Sequence, residues 1–183
     1  MKNVLRLIAI IATVVQCGTV AQAQQGGKIP TIGFLVSGTP SELSPRIEAF
    51  RQGLRELGYV EGKNIVIELR SSDGKSDNQA KLAAELVGLK VAVIVTMGTT
   101  LTQTAKNAAG AIPIVMTYVS DPIGFGFVAS LARPGGNITG MTNFGPELSG
   151  KRLELLKEIR PKTSRVAIFL DAATPVQTFL VKE

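Results

Sequence analysis

The sequence predicts an α/β fold, a doubly wound parallel sheet, on three observations. Short apolar runs alternate with amphipathic helical patterns from Pro30 onward, the order that builds crossover units. The run VAVIVT (Val91–Thr96) is continuously apolar up to its last residue, as suits a central parallel strand covered on both faces. Connections are tight: AFRQGLRELGYVEGKNIVIE (Ala49–Glu68) reads as helix, turn and strand with almost no slack. The 183 residues suffice for one ordinary domain, or one domain and part of another. A hydrophobic content of 45% is enough for a packed core.

The first segment stands outside that pattern. MKNVLRLIAIIATVV sets Lys2 and Arg6 ahead of the apolar run Leu7–Val15. AQAQQ then places Ala21 and Ala23 at the small-residue positions of a cleavage site. The run is short for a bilayer span. Residues 1–23 are therefore expected to be a secretory signal peptide, cut after Ala23, with export to the periplasm. A lipid anchor on Cys17 is the rival, and Gln16 just before it fits poorly. Cleavage after Ala23 removes the only cysteine, and with it any disulfide, thiolate nucleophile or cysteine metal ligand. Lys2 and Arg6 leave too, so 20 basic residues become 18 against 14 acidic ones, a net +4. These charges are scattered, which fits a solvated surface and not the basic stripe of a nucleic-acid binder.

The elements follow in order. PTIGFLVS (Pro30–Ser37) is a short apolar strand. Ser44-Pro45 is expected to open a helix, Ser as acceptor for free N–H groups and Pro at the first position. Ile47, Phe50, Leu54 and Leu57 give it one apolar face, and Gly58 ends it. NIVIELR (Asn64–Arg70) is the second strand. Asp77 or a neighbouring Ser caps the next helix, with Leu82, Leu86 and Leu89 on its face. VAVIVT follows, then a helix from Thr99, then the strand IPIVMT (Ile112–Thr117). DPIGFGFVASL is expected as a loop entering a short helix, RPGG as a turn, and NITGMTNF (Asn137–Phe144) as a fifth strand. Glu147–Arg160 is strongly helical, with Leu148, Leu155, Leu156 and Ile159 on one side and Pro161 as its stop. SRVAIFLDAATP is another strand and loop, and Pro175 starts a helix. The expected organisation is a signal peptide (1–23), an N-terminal α/β lobe (30–144), and a hinge with the start of a second α/β lobe (145–183).

Binding loops in a doubly wound fold follow the strands, on one edge. Here they are Ser37-Gly38-Thr39, Gly98-Thr99-Thr100, Ser120-Asp121-Pro122 and Thr142-Asn143. Small residues let a ligand approach backbone N–H groups. A helix starting at Thr99 would aim its positive end at an anion. Asp121 would accept from an ammonium or hydroxyl. Each of these is equally an ordinary turn or cap residue; their gathering on one edge makes the case.

Catalytic signatures are missing. Histidine and tryptophan are absent, which removes every imidazole base or ligand. There is no phosphate-loop motif, no G-x-G-x-x-G after the first strand and no G-x-S-x-G elbow. GFG at Gly124–Gly126 follows the wrong strand for a dinucleotide site. Asp121 and Asp171 could pair as carboxylates, though each is more simply a loop residue. Neither cofactor nor metal is indicated. Tyr118 and Phe144 lie close to the loops and could stack on a ring, with core packing an equal alternative.

GFLVSG, LAAELVGLKVAVIVTMGT, IPIVMTYVSDPIGFGFVASLARPGGNITG and ELSGKRLELLKEI, together with Ala49–Glu68, resemble the substrate-binding proteins of ATP-binding cassette transporters. The resemblance is to the subgroup with tryptophan-binding-like members and runs from about Pro30 to Asp171. It implies the type I periplasmic binding fold: two α/β lobes, hinged, closing without chemistry on a small organic solute such as an amino acid. The closed form would dock on a permease with its ATPase, the chain meeting the membrane only there (or through Cys17). Family binding positions would carry over to Ser37, Gly98, Thr99, Thr100, Asp121 and Pro122, with Asn143 and Asp171 from the second lobe. Family chains continue through a complete second lobe; this one, ending at Glu183, is expected to be C-terminally truncated. A ligand-sensing subunit, a flavodoxin-like enzyme and a non-functional remnant are the alternatives.

Overall fold

The computed structural model describes residues 29–143 and 145–167. Strand β1 (Thr31–Val36) leads to helix α1 (Pro40–Glu56), β2 (Val66–Ser71), α2 (Gln79–Gly88), β3 (Val93–Met97), α3 (Thr99–Ala109), β4 (Ile114–Val119), β5 (Ile138–Thr142) and α4 (Gly145–Ile159). The five strands pair in parallel in the order β2-β1-β3-β4-β5. This is the doubly wound α/β sheet that the alternating pattern predicts.

β1 carries the sheet because it pairs on both sides, Ile32 with Ile67 of β2 and with Val93 of β3. Its side chains alternate between two layers. Leu35 is fully buried in a core with Ala83 and Leu86 of α2 and Leu101 and Ala105 of α3. Phe34 and Val36 pack on the other side with Leu43 and Ile47 of α1. Burial of each such aliphatic side chain contributes about 1.5–3 kcal/mol. Gly33 lets α2 approach closely: a Cβ there would stand 3.1 Å from Leu86 Cδ1.

Several element ends differ from expectation. Helix α1 starts at Pro40, not at Ser44-Pro45. Thr39-x-x-Glu42 forms a capping box one turn earlier, and Pro40 already occupies the first helical position. Pro45 therefore sits inside the helix, where it withholds one N–H. Leu57 falls just beyond the last turn and is 75% exposed, so it leaves the apolar face. Helix α2 follows a short 3₁₀ turn at Ser76–Asn78, and no side chain caps it. Leu89 lies past its end and is exposed.

No helix forms between Asp121 and Leu131. The Asp121 carboxylate takes the Gly124 N–H at 2.8 Å, and the Pro122 carbonyl takes the Phe127 N–H at 2.8 Å. Gly124, Gly126 and Pro122 make a continued helix costly, and these turns instead bury Phe127 and Val128 against the core. Lys106 of α3 holds the segment by donating to the Gly126 carbonyl at 2.8 Å.

Helix α4 begins at Gly145 instead of Glu147, and Leu148, Leu155, Leu156 and Ile159 are exposed. The strand expected from Ser164 is not formed over 164–167. Phe144, Asp171 and the helix expected from Pro175 lie outside the described residues.

β5 docks on β4 through a register shift between Met116 and Val119. Gly140 is essential there: its φ is 143°, and a Cβ would collide with the Met116 carbonyl. Gly140→Ala is expected to destabilise the fold by about 2 kcal/mol or more, read as a lower urea midpoint.

Candidate functional site

Strand order reverses at β1: the chain moves outward to β2, then crosses back to β3 and on to β4 and β5. The connections diverge at the carboxyl ends of β1 and β3, the switch point at which such sheets bind ligands in a crevice. All strands run the same way, so the segments after β1, β3, β4 and β5 share this edge. Ser37, Gly98, Thr99, Thr100, Asp121, Pro122 and Asn143 are thus brought to one edge of the sheet.

Hydrogen bonds fix these segments to one another. The Gly98 N–H donates to the Thr117 carbonyl at 2.8 Å, and the Ser120 N–H to Thr99 Oγ1 at 3.3 Å. The Asn143 N–H and the Thr142 hydroxyl both donate to the Val119 carbonyl, at 2.9 and 2.8 Å. Beneath them, the buried Thr96 and Thr102 hydroxyls bond at 2.7 Å. The edge is a tied rim.

The predicted residues divide by what they offer. Ser37 and Thr100 are exposed. Thr99 is 6% exposed and spends its hydroxyl on Ser120, so it supports the rim. Pro122 is buried, and its carbonyl accepts from Phe127 and Val128. One oxygen of Asp121 is committed to Gly124.

Sequence reasoning passed over the segment after β2. The Ser71 hydroxyl donates to the Gly38 carbonyl at 2.6 Å, and the Ser72 hydroxyl to the Ser37 carbonyl at 3.2 Å. The Asp73 N–H donates to Ser71 Oγ at 3.0 Å. The signal was present: SSDG directly follows the predicted strand, as the other rim segments follow theirs.

The two helices that start beside the crevice differ electrostatically. At α1, Glu42 Oε2 accepts from the Thr39 hydroxyl at 2.8 Å and the Thr39 N–H at 2.9 Å. These two bonds, the hydroxyl first, hold the Glu42 carboxyl below its ordinary 4.5, so this helix start already bears a negative charge. At α3 the cap is Gly98, with φ 96° and no side-chain bond to the first turn. Its first N–H groups keep their positive character toward the crevice. One hollow of about 140 Å³ lies away from the rim, against Arg51, Tyr59 and Ile67; another of about 160 Å³, against Met116, Val128 and Leu131, also touches the rim residues Pro122 and Thr142.

The lobe is a parallel α/β unit whose carboxyl rim carries hydroxyls, glycines and one helix start without a side-chain cap. The profile of the ABC transporter substrate binding protein family matches residues 31–182, and the chain belongs to that family. It is 34% identical over 127 residues to a tyrosine-binding protein of Clostridioides difficile, covering 69% of this chain and 36% of that one. Solved structures agree. A conserved domain protein of Vibrio cholerae superposes with a TM-score of 0.66 at 31% identity, over 74% of this chain and 45% of that one. A ligand-free, open substrate-binding protein with adhesive properties from Clostridium difficile gives 0.62 at 31%, over 75% and 49%. A Streptococcus pneumoniae ABC domain in complex with L-Trp gives 0.64 at 28%, over 73% and 44%. The fold is that of type I periplasmic binding proteins, and the relatives are binding proteins, not enzymes. The chain spans between about a third and a half of these relatives' lengths.

Thr39→Ala is expected to cost about 1 kcal/mol through loss of the cap. Because Glu42 is more acidic when folded, its contribution is present above 4.5 and lost as pH falls through the lower folded value. Urea unfolding of Glu42→Gln against pH should therefore show a flatter loss of stability on acidification below 4.5 than the parent.

Proposed function

We propose that this chain is the extracytoplasmic solute-binding component of an ABC transporter and takes an amino acid at the β1–β3 crevice. The observation that carries this reading is the contrast between the two helix starts: an uncapped positive end at Thr99 and a carboxylate at Glu42. A zwitterion has the complementary pair. Its carboxylate meets the N–H groups of Thr99, Thr100 and Leu101; its ammonium turns toward the acidic side, where Glu42 and Asp73 lie. The relatives that bind tyrosine and L-Trp support this solute class.

Residues 30–144 supply one wall of the cleft, and a second lobe, begun at residue 145, supplies the other. Contacts to both walls exist only in the closed form, so solute shifts the population toward closure. A permease that prefers the closed form then reads occupancy and passes the solute on, with the ATPase subunit driving transfer. Ser37, Gly98, Thr99, Thr100 and Asn143 line the cleft, Asp121 and Pro122 shape its rim, and Asp171 contributes from the second lobe. Export by the N-terminal signal places the protein in the periplasm.

Calorimetry of the chain with a panel of L-amino acids and small organic acids tests this, the expected result being saturable binding of an amino acid with no turnover. Consumption of any panel member without saturable binding would contradict it. Thr100→Asp gives a prediction of opposite signs. A carboxylate in the first turn stabilises α3 by about 0.3–1 kcal/mol, seen as a higher Tm, yet occupies the solute's anion position and weakens binding about tenfold or more.

A further inference from the structure

We infer that helix α4 and the turn after it form a lipid-facing surface, on which the chain rests against an anionic membrane with the apolar side of α4 in the headgroup layer. What the cleft binds does not enter into this surface.

Helix α4 (Gly145–Ile159) follows the last strand of the sheet. Its Leu148, Leu153, Leu155, Leu156 and Ile159 are all between 36% and 75% exposed. At about 100° per residue these five fall within one arc of about 160°. Arg152 falls inside that arc, and so does Arg160, whose N–H still bonds to the Leu156 carbonyl at 2.9 Å. Lys151 and Lys157 flank the arc. Glu154 and Glu158 fall opposite its centre, and Lys151 Nζ donates to Glu154 Oε2 at 2.7 Å. Among the described residues neither arginine pairs with a carboxylate.

The net charge collects in the same place. Residues 148–167 hold six basic side chains and two acidic ones, a net +4. Residues 24–147 and 168–183 together hold twelve of each. A broad apolar arc bordered by cations, with its carboxylates turned away, complements a lipid surface of negative phosphates over hydrocarbon. The arginine stems lie along the leucines there, and the guanidinium heads reach the phosphates. A second copy of the chain is the poorer occupant. Facing arcs would bring the arginines of both copies together and leave the carboxylates outside. Among the described residues no helix is long and apolar enough to cross a membrane, so α4 lies in the plane of the interface.

The chain contains no tryptophan, so a single introduced one reports its own surroundings by fluorescence. Leu156→Trp puts the reporter near the middle of the arc, and Glu154→Trp puts it on the opposite side. Each whole chain is titrated with vesicles of phosphatidylcholine alone and of equal parts phosphatidylcholine and phosphatidylglycerol. The emission of Leu156→Trp is expected to move to the blue with the anionic vesicles, at a lipid concentration about tenfold or more below that needed with the neutral ones. The emission of Glu154→Trp is expected to stay in place. Adding Arg152→Ser and Arg160→Ser to Leu156→Trp weakens the anionic titration about tenfold, as does salt of about 1 M, where the Debye length is about 3 Å. The altered side chains are exposed, so the Tm of the lobe stays at the parent's value in every variant. An equal response to both lipids, no blue shift of Leu156→Trp, a blue shift that both reporters share, or a titration indifferent to the arginine changes overturns the inference. So does a blue shift of Leu156→Trp that grows with protein concentration in the absence of lipid, which would mark a second copy as the occupant.

Discussion

The double pairing of β1 is the constraint from which the rest follows. A strand bonded to β2 on one side and β3 on the other must be covered above and below. Phe34, Leu35 and Val36 meet that demand with opposite layers of helices. The same pairing makes β1 the point where strand order turns, so the connections that leave β1 and β3 diverge. The crevice between them is a topological consequence of the core, not a feature added to it. That is why a chain with a closely specified framework shows so little reactive chemistry: the framework's product is a set of held segments.

Electrostatics then gives the crevice a direction. Two helices start beside it, and only one keeps its N-terminal N–H groups uncapped by a side chain. Thr39 and Glu42 neutralise the start of α1 from within the chain. Gly98 has no side chain with which to do the same at α3. The tied hydroxyls of Thr96, Thr99, Thr117 and Thr142 keep the rim in place, so little ordering entropy is left for a solute to supply.

Much of this was legible in the sequence because it depends on local pattern. The five strands, the helix before Gly58 and the helix from Thr99 follow from apolar periodicity and glycine placement. What was misread involved competition between nearby signals. Ser44-Pro45 and Thr39-Pro40 both resemble helix starts, and the capping glutamate three residues after Thr39 decides between them. Asp121 reads as a turn residue as much as a ligand group, and its bond from the Gly124 N–H three residues on bears out the turn. The left-handed backbone of Tyr118 arises from the β4–β5 register, a non-local fact that no local pattern encodes. The resemblance carried the family, which the profile over residues 31–182 establishes.

Amide chemical-shift mapping during titration of the chain with L-tyrosine tests the central claim most directly. A solute seated at the switch point should shift the N–H signals of Thr99, Thr100 and Leu101 most, followed by those of Ser37–Thr39. Shifts that cluster instead along the amino edge of the sheet, around Tyr59 to Ile65, with the start of α3 unmoved, would contradict the account.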